Sequence, residues 1–318
     1  MSDFGGESTA DEVLEGLDLT GKLVFVTGGA SGLGQETARV MAAKGAHVVL
    51  AARDQAKLDE AADAIRADTG SDKVETIIVD LASLDSVRSC SAEANSRFDR
   101  IDLLINNAGV MACPQMQTAD GFEMQFGTNH LGHFLLTKLL MPLVEKGSGK
   151  RIINLSSRGH HFCPVDLDDP NFERREYDKW QSYGQSKTAN ILFSVGLEKR
   201  FADRGIHSIA LHPGGIVTNL GRHMTEQDME WMRKRIEENQ KSGGQGFKTI
   251  PQGAATTCWA ATSPDLEGRG GIYCEDCHVA EVDDSSPEGG VRSYAIDPAS
   301  ADRLWSLSEE LVGESFSA

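Results

Sequence analysis

Basic side chains are in short supply. Only 31 Lys and Arg stand against 48 Asp and Glu in 318 residues, a formal net charge of −17. A surplus of that sign repels phosphate backbones and anionic lipid, so no nucleic-acid partner is expected. Long apolar runs are also missing. None reaches the roughly 18 residues of a membrane span, so no membrane anchor is expected. Cysteine is sparse: Cys90, Cys113, Cys163, Cys258, Cys274 and Cys277 are scattered through a large chain. That distribution fits free thiols in a reducing compartment and not a disulfide framework. Met1 to Gly16 has neither a basic n-region nor an apolar h-region, so no signal peptide is read there and the expected location is cytoplasmic.

What is present is an alternation. Short apolar runs at Lys22–Thr27, His47–Ala51, Val74–Val79, Ile101–Asn106, Arg151–Leu155 and His207–Leu211 read as strands. Helical patterns lie between them, at Leu33–Lys44, Gln55–Asp68, Leu84–Phe98, Gly121–Val144 and Gln181–Arg204. Fully apolar strands separated by helices predict a parallel sheet covered on both faces, a doubly wound α/β fold of Rossmann type. Residues 1–18 read as a flexible tail or an added N-terminal turn, and 19–318 as a single domain. Two polar excursions, 158–180 and 219–249, follow strand ends and are the expected walls of a substrate pocket. The second carries an amphipathic helix that ends in Lys241-Ser242-Gly243-Gly244, and Pro298–Val312 reads as a docked amphipathic helix.

The first strand runs into Thr27-Gly28-Gly29-Ala30-Ser31-Gly32-Leu33-Gly34 and then into a helix. Strand, glycine turn and helix N-terminus is a layout for pyrophosphate, because backbone amides and the positive dipole end meet the anion. The second strand ends in Ala52-Arg53-Asp54; where an NAD site normally has an acid at the strand end, here stands Ala52, followed by Arg53. A guanidinium suits a 2′-phosphate and an acid repels one, so the cofactor is read as NADP(H).

Tyr183 and Lys187 are four residues apart in a helical pattern and so share a face. A phenol with pKa near 10 is a poor proton carrier at neutral pH, and a neighbouring cation is expected to lower it. Ser157 ends the fifth strand, where a hydroxyl can hold a substrate oxygen; Asn106-Asn107-Ala108-Gly109 ends the fourth. Asn129 interrupts the long helical pattern, where a kink or bound water would be useful. His212-Pro213-Gly214-Gly215-Ile216-Val217-Thr218 offers backbone and hydroxyl groups to a carboxamide.

With these motifs in order, the chain from about Leu19 to Tyr273 resembles the short-chain dehydrogenase/reductase family, and most of all its retinol-dehydrogenase-like branch. Arg53-Asp54, Asn129-His130-Leu131-Gly132-His133-Phe134, Ser157 with His160-His161, and Asp276-Cys277-His278 carry the closer likeness. The resemblance implies catalytic Asn129, Ser157, Tyr183 and Lys187, with Asn129 supporting a water-linked proton relay. It implies a cofactor site of Gly28, Ser31, Gly32, Leu33, Gly34, Arg53, Asp80, Leu81, Asn107, Ala108, Gly109, Tyr183, Lys187, Pro213, Gly214, Ile216 and Thr218. Asp80 would meet the adenine and Lys187 the nicotinamide ribose. The activity implied is hydride transfer to or from a carbonyl/alcohol substrate. Reduction of an activated C=C bond, and cofactor sensing without turnover, are the alternatives. Homodimers and homotetramers are usual in the family.

His160, His161, Phe162 and Met224, with Met229, Trp231 and Met232, are expected to line a pocket for a bulky apolar small molecule. Cys274-Glu275-Asp276-Cys277-His278 matches a haem-attachment spacing, and two reduced structural thiols are the preferred reading. No metal site is expected.

Overall fold

The computed structural model describes residues 3–241, 246–287 and 289–316. Its elements begin α1 (Ala10–Val13), β1 (Leu23–Thr27), α2 (Gly32–Ala43), β2 (His47–Ala52), α3 (Gln55–Thr69), β3 (Val74–Ile78), α4 (Leu84–Arg97) and β4 (Leu103–Asn106). Next come α5 (Met124–Phe126), α6 (Gly132–Val144), β5 (Arg151–Leu155), α7 (Lys179–Phe201) and β6 (His207–His212). The chain ends with α8 (Glu226–Lys241), α9 (Ile250–Thr262), β7 (Ile272–Glu275), β8 (His278–Val279) and α10 (Pro298–Val312).

All eight strands form one sheet in the order β3-β2-β1-β4-β5-β6-β7-β8. Every neighbouring pair is parallel except the terminal β7–β8 hairpin. The whole of β1 is buried, and its side chains divide between two cores. Phe25 joins a core built with α4, α6, α7 and α10, whereas Val24 and Val26 join one built with α1, α2, α3 and α9. Alternation sends successive residues to opposite faces, so a continuous apolar run is what a doubly covered strand requires. This is the doubly wound Rossmann-type α/β sheet that the sequence predicts. After β1 the chain winds outward to β3, then returns to β4 on the other side and winds toward β7. The crevice at that reversal lies at the carboxyl ends of β1 and β4.

Three elements depart from expectation. Residues 10–14 are not a loose tail. Thr9 and Glu12 form a capping box, Ala10 and Leu14 are fully buried, and Asp11 pairs with Arg39 at 2.6 Å. A four-residue helix has too little periodicity to be read from sequence, and its stability comes from packing. The helix α9 was not foreseen, because its Ala/Thr-rich sequence has little amphipathic contrast while most of its residues are buried. The helical pattern at 121–144 is broken by a π-helical turn, Gly127–Leu131, in which Gly132 N–H bonds the Gly127 carbonyl five residues back. Ser242, Gly243 and Gly244, the expected end of the amphipathic helix, lie outside the described residues.

Gly132 fits the backbone to this break. A Cβ there would lie 2.4 Å from the Leu81 carbonyl oxygen, so only glycine lets α6 approach the loop after β3 this closely. On the face covered by α4, α6 and α7, α10 packs against α7, and its Trp305 ring lies 4.5 Å from Phe316 and 5.1 Å from Phe134.

Candidate active site

A cleft of ≈ 710 Å³ runs along the carboxyl ends of the central strands. Its volume is ordinary for a cofactor or drug-sized ligand. At one end the glycine turn leaves β1 with Gly28 and Gly32 at positive φ, 68° and 57°. A Cβ on Gly34 would stand 2.4 Å from the Gly28 carbonyl oxygen and 2.5 Å from Asn107 Nδ2, so the turn must be bare there. Ser31 caps α2 without a side-chain hydrogen bond, whereas Asp54, Ser83 and Asp178 cap α3, α4 and α7 with theirs. The first-turn amides of α2 are therefore left for an anion from the cleft.

Arg53 follows β2 and lines the same cleft beside Asp80 and Leu81. Its neighbour Asp54 accepts from Lys57 N at 3.2 Å, and Arg53 has no carboxylate partner among the described residues. Arg222, from the turn Asn219–His223, lines the cleft too, and burial together with the Arg53 charge depresses its pKa. These residues fit a dinucleotide with an extra phosphate: a bare glycine turn, an open helix N-terminus and two guanidiniums without acids.

The other end holds the proton chemistry. Ser157, Tyr183 and Lys187 all line the cleft. Burial pushes the Tyr183 phenol up to about 12, with the Ser157 side chain pulling the other way. Burial also pushes the Lys187 ammonium down to about 8. The expectation that Lys187 lowers the Tyr183 pKa is not met in this ligand-free arrangement. Lys187 Nζ donates to the Leu155 carbonyl at 3.0 Å and sits 5.7 Å from the Tyr183 ring centroid.

Asn129 lies in the π-helical turn, fully buried and off the cleft wall. Its Oδ1 accepts from Val110 N at 2.8 Å, and its Nδ2 donates to the Val110 carbonyl at 3.0 Å and to Ser186 Oγ at 2.9 Å. Asn107, Ala108, Gly109, Pro213, Gly214, Ile216 and Thr218 all line the cleft, as do Gly28, Ser31, Gly32 and Leu33.

The pocket histidines are a correction. His160 is fully buried, with Nδ1 2.7 Å from the Ser157 carbonyl oxygen and its ring 4.9 Å from Tyr273. His161 turns the same way, Nε2 lying 2.9 Å from the Gly290 carbonyl oxygen. The tight turn Arg158–Phe162 directs both toward the β7–β8 side, and of its aromatic residues only Phe162 faces the cleft. Met224 packs with Met111, Ala112 and Tyr183 behind the wall. Met111, which sequence reading missed, lines the cleft, as do Trp180, Leu220 and Arg222, which lie within the two excursions expected to wall the pocket but are not singled out by the sequence. Trp180 had a legible signal, being three residues before Tyr183 and on its helical face. The Cys274 and Cys277 thiols are buried, and burial raises both pKa values.

A family model described as short chain dehydrogenase matches residues 22–229. Human retinol dehydrogenase 14 is 41% identical over 306 residues, covering 92% of this chain and 87% of that protein. A solved protein of Mycobacterium paratuberculosis is 34% identical with TM-score 0.73, covering 96% of this chain and 98% of its own. A short-chain dehydrogenase from Escherichia coli CFT073, solved with NADPH, shares the fold at 23% identity and TM-score 0.60, over 80% of this chain and 96% of its own. No described helix is long and apolar enough to cross a membrane. Sheet order, cleft and matches agree, and the chain belongs to the short-chain dehydrogenase/reductase family.

Proposed function

We propose that the protein is an NADP(H)-dependent oxidoreductase acting on the carbonyl/alcohol carbon of a bulky apolar small molecule, in the cytoplasm. One observation carries this reading: a single cleft joins the glycine turn and Arg53 at one end to Ser157, Tyr183 and Lys187 at the other. When bound, the cofactor supplies or accepts the hydride at its nicotinamide carbon.

The chain's own residues do the rest. The glycine turn and the α2 amides hold the pyrophosphate, and Arg53 holds the 2′-phosphate. Ser157 orients the substrate oxygen. Tyr183, protonated at neutral pH because its pKa is raised, donates its phenolic proton to that oxygen in the reducing direction. Lys187 would hold the nicotinamide ribose hydroxyls and, when charged, would favour the phenolate left behind. Asn129 fixes Val110 and Ser186 around this pair. Phe162, Trp180, Trp231 and Met232 give the outer cleft an apolar wall, which favours a bulky hydrophobic substrate.

The test is a titration with NADPH and, separately, NADH, followed by a screen of apolar aldehydes and ketones. Tighter NADPH binding and NADPH oxidation are expected. Binding without carbonyl turnover would overturn the reaction assigned, and equal affinities would overturn the role given to Arg53.

A further inference from the structure

A buried chain of hydrogen bonds joins the cofactor turn to the catalytic helix, and His133 is its middle link. We propose that His133 is a positioning residue whose Nδ1–H tautomer ties the Thr27 hydroxyl to the main-chain carbonyl of Asn129. The inference rests on the catalytic reading of Tyr183 and Lys187 given above.

The partners determine the tautomer. His133 Nδ1 lies 2.9 Å from the Asn129 carbonyl oxygen, and a carbonyl can only accept. Nδ1 therefore carries the proton. His133 Nε2 lies 2.9 Å from Thr27 Oγ1 and, with Nδ1 protonated in a neutral ring, must accept. Thr27 Oγ1 already accepts from Asn107 N at 2.9 Å and Ala108 N at 3.0 Å, and of the two acceptors open to its own hydrogen His133 Nε2 at 2.9 Å is nearer than the Ile105 carbonyl at 3.4 Å. Burial, and next to it the charge of Lys187, hold the imidazole neutral, pushing its pKa down to about 4.

The two ends of this chain are what the reaction must bring together. Thr27 ends β1 and anchors the Asn107-Ala108 turn, which also braces the glycine turn through Asn107 Nδ2 and the Thr27 carbonyl at 2.7 Å. Asn129 reaches Ser186, whose hydroxyl donates to the Tyr183 carbonyl at 2.8 Å. Thr27, Asn129 and His133 are all buried. A buried network satisfied at every member fixes one arrangement, because any shift leaves an unpaired group in a dry interior. His133 touches neither substrate nor cofactor. It acts by fixing the turn beside the nicotinamide relative to the Tyr183 helix.

Three measurements test this. A long-range ¹H–¹⁵N correlation on the native protein reads the His133 tautomer without any turnover; a protonated Nδ1 and unprotonated Nε2 are expected, and the reverse pattern overturns the proposal. His133→Ala is then compared with wild type as kcat per NADPH-binding site, the sites being counted by titration. A fall of roughly ten- to a hundredfold is expected with NADPH Kd within about threefold, since misplacement by about an ångström costs that much in rate. His133→Asn keeps a donor near the Nδ1 position and is expected to recover part of the loss. Unchanged per-site kcat in His133→Ala, or equal loss in the Asn and Ala variants, overturns the proposal. If His133→Ala does not fold, the tautomer decides. If wild type turns over no carbonyl, the reaction assigned above fails while the tautomer still tests the link.

Discussion

Lys187 donates to the carbonyl of Leu155 at 3.0 Å, and among the described residues no carboxylate meets its charge. Burial alone brings its pKa from 10.5 down to about 8, so folding below pH 8 encloses an ammonium with no counter-charge among the described residues. Between about pH 8 and 10.5 the unfolded chain binds this proton and the folded chain does not. The contribution of Lys187 to stability therefore rises with pH across that window. Wild type is expected to gain on Lys187→Met there, by at most roughly 3 kcal/mol. Denaturant unfolding of both proteins at pH 7 and pH 10 checks this, and the subtraction cancels the thiols and phenols. A constant difference would mean that Lys187 is neither desolvated nor unpaired.

Tyr183→Phe removes the phenolic proton and leaves the ring. NADPH affinity should change little, because the cofactor cradle is built mainly from backbone and Arg53. Turnover should fall by about 10²–10⁴, the usual worth of a positioned acid. Stopped-flow oxidation of bound NADPH is the measurement, and a variant retaining full turnover would refute the assignment.

Arg53→Ala and Arg222→Ala separate the two guanidiniums at the cofactor end. Loss of a guanidinium–phosphate bond should cost about 1.5–3 kcal/mol, or roughly ten- to a hundredfold in Kd. For Arg53→Ala the loss is expected with NADPH and not with NADH, because only NADPH has the 2′-phosphate. For Arg222→Ala, loss confined to NADPH assigns it to the same phosphate, and equal loss with both cofactors assigns it to the pyrophosphate. Calorimetric titration of each variant distinguishes these.

The parallel sheet and the catalytic helix were legible because their signals are local. An all-apolar strand such as Val24-Phe25-Val26 needs no partner to be recognised, and Tyr183 and Lys187 share a face by helix geometry alone. The Pro298–Val312 helix has the bounds that its amphipathic pattern predicts. What sequence did not give is direction. Ser157 begins a tight turn that carries His160 and His161 away from the cleft, and nothing in a one-dimensional pattern tells which side of a turn faces a ligand. The Lys187 bond to Leu155 was hidden for a related reason: its acceptor is a backbone carbonyl 32 residues away. The Asn129 break was half legible. A helix-unfriendly residue marked the position, while the close approach of Gly132 to Leu81 beside the π-helical turn is a tertiary contact no local pattern carries.

Gly34→Ala tests the cradle independently of any cofactor chemistry. The added methyl would meet the backbone oxygen of Gly28 and the Asn107 amide, and neither is a flexible side-chain end. Destabilisation of about 1–3 kcal/mol is expected from such overpacking, together with loss of binding for NADPH and NADH alike. Thermal unfolding and titration of the same sample check both. Normal binding would show that the turn opens more easily than its contacts imply.

The mouth of the cleft supplies the last test. Trp231 on α8 stacks with Trp180 on α7 at 5.4 Å, and Phe162 approaches Trp180 at 6.3 Å. Trp180 is held by the catalytic helix, whereas Trp231 is 43% exposed and reaches the cleft from the excursion after β6. The base of α8 is tied down by Lys179 and Asp228, so the tryptophan pair has an anchored neighbour on each side. A bulky substrate should lie against this face; a small aldehyde reaching Ser157 and Tyr183 should not touch it. Trp231→Ala is therefore expected to raise KM for a large apolar ketone about three- to tenfold, the worth of roughly 0.5–1.5 kcal/mol of aromatic contact. KM for a small aldehyde, kcat for both substrates and NADPH Kd should stay near wild type. If KM rises equally for large and small substrates, Trp231 acts on loop position instead of on substrate. The size argument for the pocket would then rest on Phe162, Trp180 and Met232 alone.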